Sequence, residues 1–154
     1  MSSARIPDLQ TVSFTRAPKW DYVLTSDLER RLPWELGNHD FYDSTGILRL
    51  QFRGRLAIVR SGYAWDGASC APDFPDVIVA SCLHDALLQF AGVPCFSLSK
   101  AQIDRAFLDE MPPRFFPRRI YWGAVRLFGG AYAALSRKPK PTASCGLHRD
   151  RPLR

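Results

Sequence analysis

No apolar run approaches the roughly 18 residues that a membrane-spanning helix requires, so an integral membrane protein is not expected. The opening, MSSARIPDLQ, lacks the apolar stretch of a signal peptide, and Sec-type export is not expected either. Histidine is scarce, with three copies, and none falls in an HExxH pattern; the Walker and Rossmann glycine signatures are also missing. The four cysteines, Cys70, Cys82, Cys95 and Cys145, form no Cys-x-x-Cys pair. That excludes a zinc-knuckle spacing and a dense disulfide framework, and it favours reduced thiols in a cytoplasmic setting.

What remains is an ordinary globular composition. The chain has 154 residues, 46% hydrophobic and 23% charged, enough for one domain with a core. The net charge is +6. Residues 137–154 hold six Lys/Arg against one Asp, a net of +5, so the body carries only +1. This divides the chain into a single domain over 1–136 and a basic, Pro-punctuated tail over 137–154 that is expected to be flexible. Such a tail would either be solvated or contact nucleic acid or another anionic surface.

The first half reads as β-rich. TVSFT (11–15) and DYVLT (21–25) alternate as strands do. Residues 26–35 read as a loop or a single helical turn, and GNHDFYDSTG (37–46) as a run of turn residues. Residues 47–65 read as a hairpin turning at Gly54, with Leu48, Leu50 and Phe52 on its dry face. Three helices follow. One covers 73–90, with Asp73 as its cap, Pro75 in its first turn and apolar residues all around it. The second covers 97–111 and opens on a Ser99/Gln102 capping box. The third covers 118–136 and contains Gly123, Gly129 and Gly130, which are most simply explained by close packing. The expected architecture is α+β: a small antiparallel β-sheet from the N-terminal half, then about three helices packed on one face.

Three features carry polar chemistry. WDGAS (65–69) ends a strand in an Asp-Gly turn. His84 and Asp85 interrupt an apolar helix, and a buried carboxylate there requires donors, a cation or a proton. Asp104 lies one turn into the next helix. Partners open to Asp85 are His84, the WDGAS turn, Arg105 and a metal.

Three readings of the cluster stay open. It is a satisfied polar staple between sheet and helices. Or it is a divalent-metal site for zinc, manganese or iron, with Asp66, His84 and Asp104 as ligands and Asp85 as base. Or Ser69 or Cys70 is a nucleophile with His84 as its base. His39-Asp40 repeats the doublet in a turn-like run and would supply a further ligand at most, while His148 lies in the tail. Trp20, Trp34, Phe41 and Tyr42 are candidate exposed anchors for a partner.

Taken together, Asp66-Gly67-Ala68-Ser69, His84-Asp85, Asp104 and the aromatic, Gly-bearing YWGAVRLFG (121–129) form a pattern. From Tyr63 to about Leu135 the chain resembles the small phage and prophage family called domain of unknown function 1353. That family usually places Pro two residues after the Ser, whereas here Cys70-Ala71 precede Pro72, which argues against Cys70 as a general nucleophile. A fainter similarity to HD phosphohydrolases lacks the His on an earlier helix.

The resemblance implies a phage or prophage origin and supplies no reaction. The first expectation is a virion structural or assembly protein, associated with tail, neck or baseplate, whose partners are other phage structural proteins. It would reside in the cytoplasm of a bacterial host or in the virion. The alternative is a small metal-dependent hydrolase acting on a cell-wall or nucleotide substrate, with Asp85 and Ser69 catalytic. A second alternative is a host-directed regulatory or counter-defence protein that binds through its basic end.

Overall fold

The segment ILRLQFRGRLAIV alternates apolar and polar side chains on either side of a glycine, and it folds as a hairpin. Strands β5 (Leu48–Arg53) and β6 (Leu56–Val59) pair antiparallel, with Leu50 opposite Val59 and Phe52 opposite Ala57. These four side chains are fully buried on one face. Gly54 makes the turn at φ 59°, a left-handed conformation that glycine adopts freely. The computed structural model describes residues 13–16, 22–67, 74–135 and 145–147.

Two segments expected to be irregular are strands. Residues Leu28–Arg31 form β3 and pair with β6, and Asn38–Tyr42 form β4 and pair with β5. Local propensity opposes both, and tertiary pairing wins. In β4 the polar residues are satisfied across the ladder: Asp40 accepts from Gln51 Nε2 at 2.8 Å and from the Arg53 guanidinium. Phe41 points the other way, onto Phe52, Phe90 and Phe96. It is 1% exposed and is therefore a core residue, not the partner anchor expected from the sequence. Trp34 and Tyr42 are half-buried, and Trp20 lies outside the described residues. In β3 only Leu28 is buried, and Arg30 is held by Glu110 at the end of the second helix. Charge along such a strand suits a sheet edge.

The β region consists of two antiparallel sheets rather than one. The larger has the order β3-β6-β5-β4-β8, where β8 is Cys145–Leu147. The smaller has the order β1-β2-β7, from Phe14–Thr15, Tyr22–Leu24 and Ala64–Trp65. The expected long hairpin over 47–65 thus divides, because its last two residues pair with β2. Residues 145–147, within the expected tail, form β8, whose backbone adds to the β4 edge opposite His39, Asp40 and Phe41. A β4 edge left bare would present unpaired N–H and C=O groups.

The three helices stand where the sequence places them. They are α1 (Pro75–Gln89), α2 (Lys100–Glu110) and α3 (Arg118–Leu135). The N-cap of α1 is Phe74, with no side-chain cap bond, and Pro75 follows it; Asp73, the expected cap, lies outside the described residues. The Ser99/Gln102 capping box of α2 is formed in both directions. A side chain at Gly123 would meet nothing within 4 Å, so close packing does not explain that glycine.

Helix α1 is buried on nearly every side and joins two apolar clusters. Ile78, Leu83 and Leu87 pack with the sheet residues Leu50, Phe52 and Trp65. Val77 and Ala80 pack with Phe107 and Met111 of the α2 end and Tyr121 of α3. The layers are therefore sheet, α1, then α2 with α3, which is an α+β arrangement.

Candidate functional site

A central helix with apolar neighbours all around leaves a polar side chain no route to water, so it must find partners inside. In α1 these side chains are Ser81 and His84. Ser81 Oγ donates to the Ile78 carbonyl at 2.8 Å and accepts from the Trp65 indole N–H at 3.2 Å. This buried bond ties the end of β7 to α1. Asp66 follows immediately, half-buried, and Gly67 turns at φ 70° as the Asp-Gly pair predicts.

His84 lies one turn beyond Ser81 and is 4% exposed. Its Nε2 is 3.0 Å from Oδ1 of Asp104 on α2, which is itself 1% exposed. The other oxygen of Asp104, Oδ2, accepts from Lys100 Nζ at 2.7 Å. Lys100 also donates to the Val125 carbonyl of α3 at 3.2 Å. A single polar chain, His84–Asp104–Lys100–Val125, thus crosses from α1 through α2 to α3. Lys100 was not singled out in the sequence, although its i,i+4 spacing to Asp104 was the available signal.

On the other side of the imidazole, Nδ1 is 3.8 Å from Oδ1 of Asp85. Successive helical residues diverge by about 100°, so His84 aims at α2 while Asp85 flanks the ring. The Asp85 side chain is 18% exposed, enough to keep one edge wet. The His84 ring packs edge-to-face with Phe107, with centroids 5.3 Å apart.

The electrostatics follow from this geometry. Burial alone would lower the His84 pKa, but hydrogen bonds to Asp104 and Asp85 outweigh it and hold the imidazole above its ordinary value. Burial alone would raise the Asp104 pKa, and here His84 and Lys100 outweigh it and hold the carboxyl below its ordinary value. With His84 protonated, the two cations His84 and Lys100 balance the two anions Asp85 and Asp104.

The structure thus brings together His84, Asp85 and Asp104. Asp66 stands on the adjoining strand end, and the carboxylates acting most strongly on His84 are Asp104 and Asp85. Among the described residues, no three His, Cys, Asp or Glu side chains are grouped to hold a metal ion. Oδ2 of Asp104 is taken by Lys100 Nζ at 2.7 Å, and Asp66 lies at the end of β7. Arg105, a candidate partner for Asp85, instead pairs with Asp109 on the exposed side of α2. The second doublet, His39-Asp40, belongs to the β4–β5 ladder. Ser69 and Cys70 lie outside the described residues.

The thiols differ from expectation at one position. Cys82 is free and buried, but Cys95 is disulfide-bonded. Sequence spacing carries no information about which distant cysteines meet in space.

Among the described residues, no helix is long and apolar enough to cross a membrane. No family model, curated protein or solved structure matches the chain.

Proposed function

We propose that this chain is a phage- or prophage-derived accessory protein with a virion structural or assembly role, and that its Asp/His cluster is an internal clamp, not a reaction centre. The observation that carries the clamp is the pairing and burial of Asp104. Both of its oxygens are engaged, one by His84 and one by Lys100, and the His84–Asp104 pair is almost wholly buried. The Asp104 side chain is 2% exposed, so the carboxylate offers almost no surface to a substrate. The phage origin is supported by the motif resemblance on Asp66-Gly67-Ala68-Ser69, His84-Asp85 and Asp104.

A second reading has one observation in its favour. Asp85 is partly exposed beside Nδ1 of His84, which is the arrangement of a base and its modulator in a small hydrolase. Elemental analysis of the untagged protein, paired with His84→Ala, separates the two. The clamp predicts substoichiometric metal and a strongly destabilised variant. Stoichiometric metal that disappears in a folded His84→Ala protein would establish the hydrolase reading instead. Mass spectrometry of purified phage particles tests the virion role directly: recovery of this chain supports it, and absence from particles removes it.

A further inference from the structure

The sequence distributes its charge unevenly around the second helix. Residues 111–154 hold ten Lys/Arg and one Asp, a net of +9, which leaves −3 for residues 1–110. Within 111–136 there are four arginines, Arg114, Arg118, Arg119 and Arg126, and no acidic residue. Helix α3 is the helical element of this basic region.

One side of α3 packs inward through Tyr121 and Val125. The three most exposed large apolar side chains among the described residues lie on its outer side or just before it, whereas Phe14, Ile47 and Phe74 are less exposed and lie elsewhere. Phe116 just before the helix is 91% exposed, Ile120 is 70% exposed and Leu127 is 78% exposed. Residues seven apart fall on nearly the same side of a helix, so Ile120 and Leu127 form one row about 10 Å long. Arg119 and Arg126 precede them by one position and form a parallel row about 100° away. Arg126 is steadied by the Trp122 ring, with its guanidinium carbon 5.4 Å from the centroid. Among the described residues no carboxylate forms an ion pair with Arg114, Arg118, Arg119 or Arg126.

We infer that this face of α3 is a peripheral docking surface for an anionic lipid bilayer. The apolar row enters the interfacial region, and the arginine row lies against the headgroup phosphates. Three side chains that protrude into solvent, two on the convex helix and one just before it, suit a deformable interface better than a preformed pocket. A second copy of the chain fits poorly, because pairing α3 with α3 brings two arginine rows together without acids between them. Nucleic acid satisfies the arginines but gives nothing to Phe116, Ile120 and Leu127. The inference does not depend on the clamp or on the phage origin.

The test is vesicle co-sedimentation of the full chain with phosphatidylcholine alone and with a phosphatidylcholine–phosphatidylglycerol mixture. Binding to the anionic vesicles only, weakened by salt, is expected. The exposed double variant Ile120→Ser/Leu127→Ser should lose about tenfold or more in vesicle affinity, with an unchanged circular dichroism spectrum. Arg119→Gln/Arg126→Gln should lose about tenfold or more. All variants keep the 137–154 tail, so the differences report on α3. Several results would overturn the inference: no sedimentation, or binding indifferent to the Ile120/Leu127 change, as a tail-driven attraction to any polyanion would be. Equal affinity of the wild type and the apolar variant for duplex DNA, without vesicle binding, would assign the surface to nucleic acid. A dimer by light scattering that the apolar variant converts to monomer would assign it to self-association.

Discussion

The imidazole of His84 and the carboxylate of Asp104 meet at 3.0 Å across the seam between α1 and α2, and Lys100 holds the far oxygen of that carboxylate at 2.7 Å. A pair this deeply buried is stable only as a pair. Asp104→Ala leaves the His84 and Lys100 donors facing an apolar hole and should cost about 3–5 kcal/mol in denaturant unfolding. Lys100→Met keeps the bond to His84, and Lys100 reaches solvent, so its loss should cost nearer 1 kcal/mol. Equal losses from the two changes would contradict the chain described above.

The same pair sets a pH dependence. The pKa of His84 is raised in the folded protein, so its stabilisation is complete below about pH 6.5 and is lost as pH rises through the folded value. Asp104 is shifted down, so its contribution is present above about pH 4 and is lost as pH falls through its folded value. Thermal unfolding followed from about pH 6 to pH 9 should show a declining Tm, and His84→Gln should flatten that decline. Parallel slopes for the two proteins would show that another group titrates.

A separate acid-labile point sits at the β4–β5 turn. Asp43 accepts from the Thr45 hydroxyl and amide, the Ile47 amide and Arg49. Burial alone would raise its pKa, but these bonds outweigh that and bring it to about 2. The stabilisation is present above about pH 4 and disappears as pH falls toward the folded value, and it amounts to about 2–3 kcal/mol at neutral pH. Asp43→Asn should therefore lower stability at pH 7 while narrowing the gap to wild type near pH 2, as read by urea midpoints.

Trp65 tests the junction between strand and helix. It is fully buried, and its N–H reaches Ser81 Oγ. Trp65→Phe should cost about 1 kcal/mol from the lost hydrogen bond plus a cavity contribution. Ser81→Ala in the Trp65→Phe background should add less than it does in wild type, and a double-mutant cycle would measure the coupling.

The cysteines make a covalent prediction. Peptide mapping without reductant should recover Cys95 in a cross-linked peptide and Cys82 as a free thiol that alkylates only after unfolding. Alkylation of Cys95 in the unreduced, unfolded chain would overturn the disulfide.

Helices were the most legible part of the fold. The Pro75 start, the Ser99/Gln102 box and the all-round apolar pattern of α1 are local signals, and each survives in the structure. Strands β3 and β4 were not legible. LERR and NHDFY sit among turn residues and owe their conformation to pairing, β3 with the distant β6 and β4 with β5 across a short turn. Gly54 marked a turn that propensity could find, whereas the pairing of Ala64–Trp65 with β2 needed three dimensions. In the polar cluster, burial logic singled out His84, Asp85 and Asp104, because an ionisable side chain in an apolar helix must be matched. It could not say that Lys100 would complete the network, since a lysine in a first helical turn is usually solvated. Phe41 was misread as a surface anchor for the same reason as β4: it faces the core only because its strand exists.

The backbone of β8 lies along β4 and closes that side of the five-stranded sheet. Cutting the chain at Ser136 to remove its positive charge would therefore do two things at once. It would strip the basic residues and also open a ladder of donors and acceptors to any neighbouring molecule. A shortened protein that clumps would be reporting an uncovered strand, and charge-neutralising substitutions in the intact chain are the cleaner way to study its electrostatics.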